Sequence, residues 1–107
     1  MILGLAYKKN VDDVRESPSV ELLEKLRIKG AEVAYSDPHV AKFPKMRRYQ
    51  FDLGSVELTP ESLAGFDCVL VATNHDGFDW DMIKKYSGLI VDTRGVFETG
   101  NDLIFRA

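Results

Sequence analysis

Three cationic side chains stand at positions where a small α/β domain would bind an anion. Lys8 and Arg15 lie in AYKKNVDDVRESP, directly after an apolar run, and Arg94 lies in DTRGVF, directly after another. A lysine supplies a mobile point charge and an arginine a planar fork of donors, which together suit phosphates or carboxylates. The pattern predicts a site for a phosphorylated anion. The neighbouring acids, Asp12 and Asp13 among them, leave open the alternative that the cations are solvated or form ion pairs.

These cations depend on strands whose carboxyl ends meet at one edge of a sheet. The sequence predicts buried strands over residues 2–6, 31–36, 67–73 and 88–93, a short strand near 48–51, a short edge strand in DLIFRA, and helices over 18–29, from residue 60 in TPESLAGF, and over 79–86. Strands that alternate with helices imply right-handed crossovers and a parallel sheet covered on both faces. The predicted fold class is α/β, a three-layer Rossmann-like domain with a mainly parallel sheet.

The helix over residues 18–29 is predicted to start at the same edge as the cations. Ser17 is the expected N-cap and Pro18 the first helical residue, where its missing N–H costs nothing. Gly30 is the expected left-handed cap at the other end. The dipole and the unpaired N–H groups of the helix start would add to an anion site.

Composition argues against several functional classes. The chain has 107 residues and a net charge of −3, whereas general nucleic-acid binders are normally basic, so the run KMRRY is interpreted as a solvated surface or a partner contact. No apolar stretch is long enough to span a membrane, and Met1 is not followed by a signal peptide, so a cytoplasmic protein is expected. The single cysteine, Cys68, lies in the apolar run DCVLVAT and is predicted to be a core residue rather than a nucleophile.

Two further patterns bear on metals and dinucleotides. His39 and His75 stand near aspartates in SDPHV and NHDGFDWD, and structural turn roles are predicted because a metal site would need more ligands at defined spacing. A dinucleotide site would need G-x-G-x-x-G between the first strand and its helix, where this chain has only Gly4. The sequence therefore predicts no metal site and no binding of NAD by this domain alone.

Four segments together resemble a known family. GLAYKKNVDDVRESPS, VAYSDPHV, CVLVATNHDGFDW and IVDTRGVF are similar, in the same order, to the carboxyl-terminal domain of the UDP-glucose/GDP-mannose dehydrogenase family. MRRY and the residues of DPHV and VDTRGV resemble the bacterial UDP-N-acetylglucosamine 6-dehydrogenase branch. The resemblance implies that residues 1–107 are the UDP-binding carboxyl-terminal domain, a fragment without the NAD-binding and central domains.

The resemblance also implies a reaction and the residues that serve it. Family members oxidise the C6 alcohol of a UDP-sugar to a carboxylate in two NAD-linked steps, for polysaccharide biosynthesis, and NAD is bound mainly by the amino-terminal domain. Tyr7, Lys8 and Arg94 match family positions that contact the UDP-sugar, and Arg15 matches one near the NAD or the domain junction. The family's catalytic cysteine lies in the missing part, and Cys68 does not match it. No catalytic residue is therefore expected here, the chain alone is expected to be inactive, and the full-length enzyme is expected to be a homo-oligomer.

Other functions stay open on the residues alone. The chain could be an autonomous nucleotide-binding or regulatory module without catalysis, or an assembly domain whose basic segment contacts a neighbouring subunit. A native start at Met1 would favour the autonomous module, whereas roughly 300 preceding residues would fit two further domains of an enzyme. The sequence does not choose among N-acetylglucosamine, N-acetylgalactosamine, N-acetylmannosamine and glucose, nor between UDP and GDP.

Overall fold

The computed structural model describes residues 1–6, 8–14, 17–46, 51–97 and 103–106. Strands and helices alternate along these residues as β1 (Ile2–Leu3), α1 (Pro18–Ile28), β2 (Tyr35–Ser36), α2 (Pro60–Ala64), β3 (Val69–Val71), α3 (Trp80–Tyr86), β4 (Ile90–Asp92) and β5 (Ile104–Arg106). Each predicted helix is present, and each predicted strand is present in a shorter form, except the one near 48–51. That segment falls largely outside the described residues. In the part of the chain described, no helix is long and apolar enough to cross a membrane.

The strands form one sheet in the order β2-β1-β3-β4-β5, and every neighbouring pair is parallel. This confirms the predicted α/β class, with a sheet that is wholly parallel among the described strands. The order changes direction between β1 and β3, because β2 lies on one side of β1 and β3 to β5 extend on the other. In open parallel sheets, ligands bind beyond the carboxyl ends of the strands at such a switch point.

Helices cover the two faces of the sheet and make three layers. Neighbouring residues of a strand point to opposite faces, so Ile2 packs in the cluster that contains Val20 and Leu23 of α1. Leu3 packs on the other face, in the cluster that contains Leu63 of α2 and Ile83 of α3. The two residues of the short strand β1 therefore contribute one side chain to each of the two cores.

The ends of α1 lie where the sequence predicts them. Ser17 is the N-cap and its hydroxyl accepts from the N–H of Ser19 at 3.2 Å, while Pro18 is the first helical residue. Gly30 follows the C-cap with φ +94°, the left-handed conformation that glycine adopts without steric cost. The helix that starts at the candidate anion site is thus fixed by local sequence.

The other two helices are capped by side chains as well. The hydroxyl of Thr59 accepts from the N–H of Ser62 at 3.0 Å, and the Ser62 hydroxyl accepts from the N–H of Thr59 at 2.9 Å, which makes a reciprocal capping box at the start of α2. Asp79 caps α3 by accepting from the N–H of Met82 at 3.1 Å.

Burial on the α1 face falls steadily across the sheet. The strand register aligns Tyr35, Ile2, Leu70, Val91 and Phe105 in one cross-strand row. Tyr35 and Ile2 are buried, Leu70 and Val91 are partly buried, and Phe105 is 53% exposed. Within the described residues, α1 therefore covers the β2–β1 half of this face and leaves the β4–β5 half open.

Candidate functional site

A groove of about 240 Å³ opens at the carboxyl ends of β3 and β4, beside the first turn of α1. Its lining comes from the segments that follow β1, β3 and β4, from one residue of β3 and from the start of α1: Ala6, Pro18, Ser19, Leu22, Leu70, Ala72, Thr73, Thr93 and Arg94. The topology therefore brings the predicted segments together at the switch point of the sheet. One cation, Arg94, lies in the lining.

The Arg94 side chain is oriented by a bond to the neighbouring strand end. Its Nε donates to the carbonyl oxygen of Ala72 at 2.8 Å, while the residue as a whole is exposed. A guanidinium carries five N–H donors, and this bond uses one of them. Arg94 thus presents a fixed, always charged fork at the rim of the groove.

The turn that carries Arg94 is built around the carboxylate of Asp92. Oδ1 accepts from the N–H groups of Arg94 at 3.0 Å and Gly95 at 2.9 Å, and Oδ2 accepts from that of Phe97 at 2.9 Å. Asp92 is only 1% exposed. Burial by itself disfavours the charged form, but the backbone hydrogen bonds, that of Phe97 foremost, outweigh it and lower the pKa of Asp92. The carboxylate therefore stays ionised and holds the turn.

A second arginine, which sequence reasoning missed, lies against the same turn. Arg106 is the register partner of Asp92 on β5. Its guanidinium lies over Gly95, where a Cβ atom would stand 2.8 Å from Nη2, and Gly95 has φ +70°. Arg106 is placed here by the parallel pairing of β5 with β4. The sequence DLIFRA alone does not reveal that pairing.

The segment after β1 is attached both to α1 and to the end of β3. The Ser17 hydroxyl donates to the carbonyl oxygen of Leu5 at 2.8 Å. The Thr73 hydroxyl donates to that of Ala6, also at 2.8 Å. Two buried hydroxyl groups therefore fix the backbone from which the predicted binding loop departs.

The predicted contact residues are only partly brought together. Lys8 is exposed on the loop after β1 and lies outside the set of residues that line the groove, whereas Arg94 is within it. Next to Lys8, the ammonium of Lys9 pairs with the carboxylate of Asp76 at 3.0 Å. Tyr7 and Arg15 lie outside the described residues, so their predicted roles stay predictions.

The two histidines differ from one another. His39 lies in the turn predicted for it, where its backbone N–H donates to Oδ1 of Asp37 at 2.8 Å. His75 is instead fully buried before its turn, with Nε2 2.9 Å from Oδ2 of Asp37. Its ring connects two loops, and its carbonyl oxygen accepts from the N–H of Phe78 across the turn that follows.

Metal-binding groups and the cysteine add no chemistry to the groove. Among the described residues, no cluster of three or more His, Cys, Asp or Glu side chains is placed to hold a metal ion. Cys68 is partly buried immediately before β3, and it does not line the groove.

The β1–α1 connection does not fit the pyrophosphate of NAD. Its one glycine, Gly4, has φ +93° and packs so closely on Thr73 that an added Cβ would meet the backbone nitrogen of Thr73 at 2.7 Å. That glycine is used for contact between β1 and β3, and a dinucleotide cradle would need further glycines that let the backbone approach the phosphates.

Known proteins with similar sequences and structures cover nearly all of the chain. Residues 1–99 match the UDP-binding domain of the UDP-glucose/GDP-mannose dehydrogenase family. The chain is 35% identical over 105 residues to the UDP-N-acetyl-D-mannosamine dehydrogenase of Methanococcus maripaludis, a match that covers 91% of this chain and 22% of that protein. It is 36% identical over 100 residues to the UDP-glucose 6-dehydrogenase of Haloferax volcanii, covering 89% and 22%.

A solved structure agrees with these relatives. The ternary complex of GDP-mannose dehydrogenase from Pseudomonas aeruginosa superimposes with a TM-score of 0.72 and 27% identity, over 98% of this chain and 27% of that one. The chain spans about a fifth of the length of the curated relatives. The match of residues 1–99, together with the parallel sheet and the groove at its switch point, shows that the chain belongs to the UDP-glucose/GDP-mannose dehydrogenase family, of which it is the UDP-binding domain.

Proposed function

We propose that the chain is the nucleotide-sugar-binding domain of an NAD-dependent dehydrogenase that oxidises the C6 alcohol of a UDP-sugar to a carboxylate. The observation that carries the proposal is that the family's UDP-binding region, residues 1–99, contains the whole groove lined by Arg94. Conversion of an alcohol to a carboxylate removes two hydrides and consumes one water. NAD, held mainly by another domain, would supply the acceptor for both hydrides.

The charged groups at the sheet edge suit a nucleoside diphosphate. Because the Nε of Arg94 is bonded to Ala72, the remaining N–H groups on its two Nη atoms are the proposed donors to a phosphate. Lys8 is the proposed second charge and Tyr7 a proposed contact of the UDP-sugar. Arg15 is proposed to face the cofactor or the domain junction.

The identity of the sugar is the finer part of the proposal. The resemblance of MRRY, DPHV and VDTRGV favours N-acetylglucosamine, whereas the Methanococcus maripaludis relative is named for N-acetyl-D-mannosamine. The Haloferax volcanii relative is named for UDP-glucose. We place UDP-N-acetylmannosamine first among the substrates to test, with UDP-N-acetylglucosamine second, since both carry an N-acetylated hexosamine.

The half-covered face of the sheet is the proposed packing surface for the other domains. The row from Leu70 through Val91 to the half-exposed Phe105 presents apolar surface that the described residues leave open. Relatives of which this chain covers 22% have further polypeptide to cover it. We propose that the central domain of the same protein packs there in a homo-oligomeric enzyme.

Turnover by the complete protein tests the function. The protein that carries this chain is incubated with NAD and each UDP-sugar, and NADH is followed by absorbance. We expect two NADH for each sugar oxidised, with none from the 107-residue chain alone. NADH formation by the chain alone would contradict the assignment to a binding domain, and a complete protein inactive on every UDP-sugar would contradict the proposed reaction. The second outcome would favour the autonomous nucleotide-binding module.

A further inference from the structure

The buried ring of His75 joins the loops that leave three neighbouring strands. Nε2 lies 2.9 Å from Oδ2 of Asp37, which follows β2, and Nδ1 accepts from the backbone N–H of Asn10, which follows β1, at 2.7 Å. His75 itself follows β3 and is 0% exposed. A fully buried histidine is often only a core residue. Its hydrogen-bond partners distinguish that case from a role in positioning a loop.

The contacts fix the tautomer of the ring. Because Nδ1 accepts the Asn10 N–H, the proton of the neutral ring is on Nε2, which then donates to Asp37. The same Oδ2 accepts from the N–H groups of Leu5 at 2.7 Å and Ala6 at 3.0 Å. Asp37, 2% exposed, is thus a buried acceptor that holds both His75 and the first residues after β1.

The far end of the same loop is held by residues 75 and 76. Asn10 has φ +61°, in the left-handed region, which asparagine adopts more readily than most other non-glycine residues. Its Nδ2 donates to Oδ2 of Asp76 at 2.8 Å, and the N–H of Asp76 donates back to Oδ1 of Asn10 at 2.9 Å. Side-chain hydrogen bonds from Asn10, and then from Lys9, lower the pKa of Asp76, so its carboxylate stays charged.

Lys8 lies between these two anchors. Ala6 is bound through its N–H to Asp37 and through its carbonyl oxygen to Thr73. Asn10 is bound to His75 and Asp76. The four-residue spacing therefore restricts where the backbone of Lys8 can be.

We infer that His75 is a positioning residue for nucleotide binding, which holds the loop after β1 through Asn10 so that Lys8 is presented to the phosphates. This inference rests on the proposed function, in which Lys8 contacts the UDP-sugar. His75 touches neither the groove nor, in this proposal, the substrate, so it is not a catalytic residue.

Two substitutions separate the contacts of the ring. The amide of His75→Asn reaches the place of Nδ1 and keeps an acceptor for Asn10, but it loses the donor to Asp37. The longer amide of His75→Gln reaches the place of Nε2 and keeps the donor to Asp37, but it loses the acceptor for Asn10. Each variant loses one hydrogen bond of the buried ring, in His75→Asn the bond to the Asp37 carboxylate and in His75→Gln the bond from the Asn10 N–H. The two variants therefore differ in whether Asn10 is held.

The test measures amide hydrogen exchange at Asn10 and UDP binding in the full chain and in both variants. In His75→Gln we expect Asn10 to exchange at least about tenfold faster and UDP to bind about tenfold more weakly, the size of one lost hydrogen bond. In His75→Asn both quantities should stay within about threefold of the unsubstituted chain. Equal affinity in both variants, whether retained or lost, would overturn the inference.

Two readouts keep the inference separate from the proposed function and from misfolding. If the unsubstituted chain does not bind UDP, the proposed function fails, whereas the exchange rate of Asn10 still decides whether His75 holds the loop. The second readout is the set of chemical shifts of the His75 ring nitrogens, which report the tautomer in the unsubstituted chain. We expect Nε2 to carry the ring proton and Nδ1 to carry none, and protonation on Nδ1 would overturn the inference.

Discussion

Gly4 and Thr73 pack so closely that a Cβ atom on Gly4 would stand 2.4 Å from the Cβ of Thr73. Gly4 also has φ +93°, which an L-side chain seldom adopts. Gly4→Ala should therefore combine the left-handed strain of about 1–2 kcal/mol with an overpacking cost of about 1–3 kcal/mol. We expect a loss of roughly 2–5 kcal/mol in the free energy of unfolding, measured by urea denaturation.

Two other glycines serve as matched controls for this loss. Gly30 has φ +94° with open space around a Cβ, so Gly30→Ala should show the backbone strain alone. Gly88 has neither a positive φ nor a neighbour within 4 Å, so Gly88→Ala should be neutral or slightly stabilising. Equal stability of Gly4→Ala and Gly88→Ala would show that Gly4 and Thr73 are not in such close contact.

Asp92→Asn should loosen the turn that carries Arg94. An amide keeps one acceptor oxygen but directs its NH₂ group at backbone donors, so part of the bonding to Arg94, Gly95 and Phe97 is lost. Hydrogen bonds to a charged group are each worth about 1.5–3 kcal/mol, and we expect a destabilisation of that order with weaker UDP binding. Asp52→Asn, at an exposed position outside this turn, is the control. Equal stability of the two variants would show that the Asp92 carboxylate does not hold the turn.

Acid should destabilise the chain through its aspartates. The pKa of Asp92 is lowered in the folded state because backbone hydrogen bonds outweigh the effect of burial, and that of Asp76 is lowered by Asn10 and then Lys9. A carboxyl with a depressed folded pKa contributes stability that is complete above its unfolded pKa, near 3.8, and is lost as the pH falls through the folded value. Urea midpoints should fall as the pH drops below about 4. They should fall less steeply in Asp92→Asn, and identical pH profiles would contradict a lowered pKa for Asp92.

Arg94→Ala should weaken nucleotide binding without unfolding the domain. Loss of a hydrogen bond to a charged phosphate costs about 1.5–3 kcal/mol, and since Arg94 is exposed its removal should leave the core intact. The expected result is a rise in KM for the UDP-sugar in the complete protein. Lys84→Ala removes an exposed charge from the last turn of α3 and should leave KM unchanged. Unchanged KM and kcat in Arg94→Ala would remove Arg94 from the site.

Local sequence predicted the helices because their determinants are local. Ser17, Pro18 and Gly30 act within a turn of the helix they bound, so the ends of α1 follow from residue types alone. The strands were predicted too long because apolar runs report burial and not pairing. Leu5 and Ala6 are buried like strand residues, yet their N–H groups bond to Asp37 after the chain turns at Gly4.

The parts of the site that sequence did not predict depend on the order and register of the strands. His75 and Asp37 meet because β1 lies between β2 and β3, so the loops after all three strands share one end of the sheet. Arg106 reaches the Arg94 turn only because β5 pairs in parallel with β4. Neither relationship leaves a pattern of spacing in the sequence. The rim position of Arg94 was predictable because it follows a buried strand directly.

Calorimetric titration of UDP, GDP and NAD into the full chain, and into Arg94→Ala, tests the central claim most directly. The chain is proposed to carry one side of a nucleotide-sugar site and has no pyrophosphate cradle between β1 and α1. We predict weak, saturable binding of UDP that is weaker still in Arg94→Ala, and no binding of NAD. Binding of NAD as tight as that of UDP, or UDP binding that does not depend on Arg94, would contradict the account.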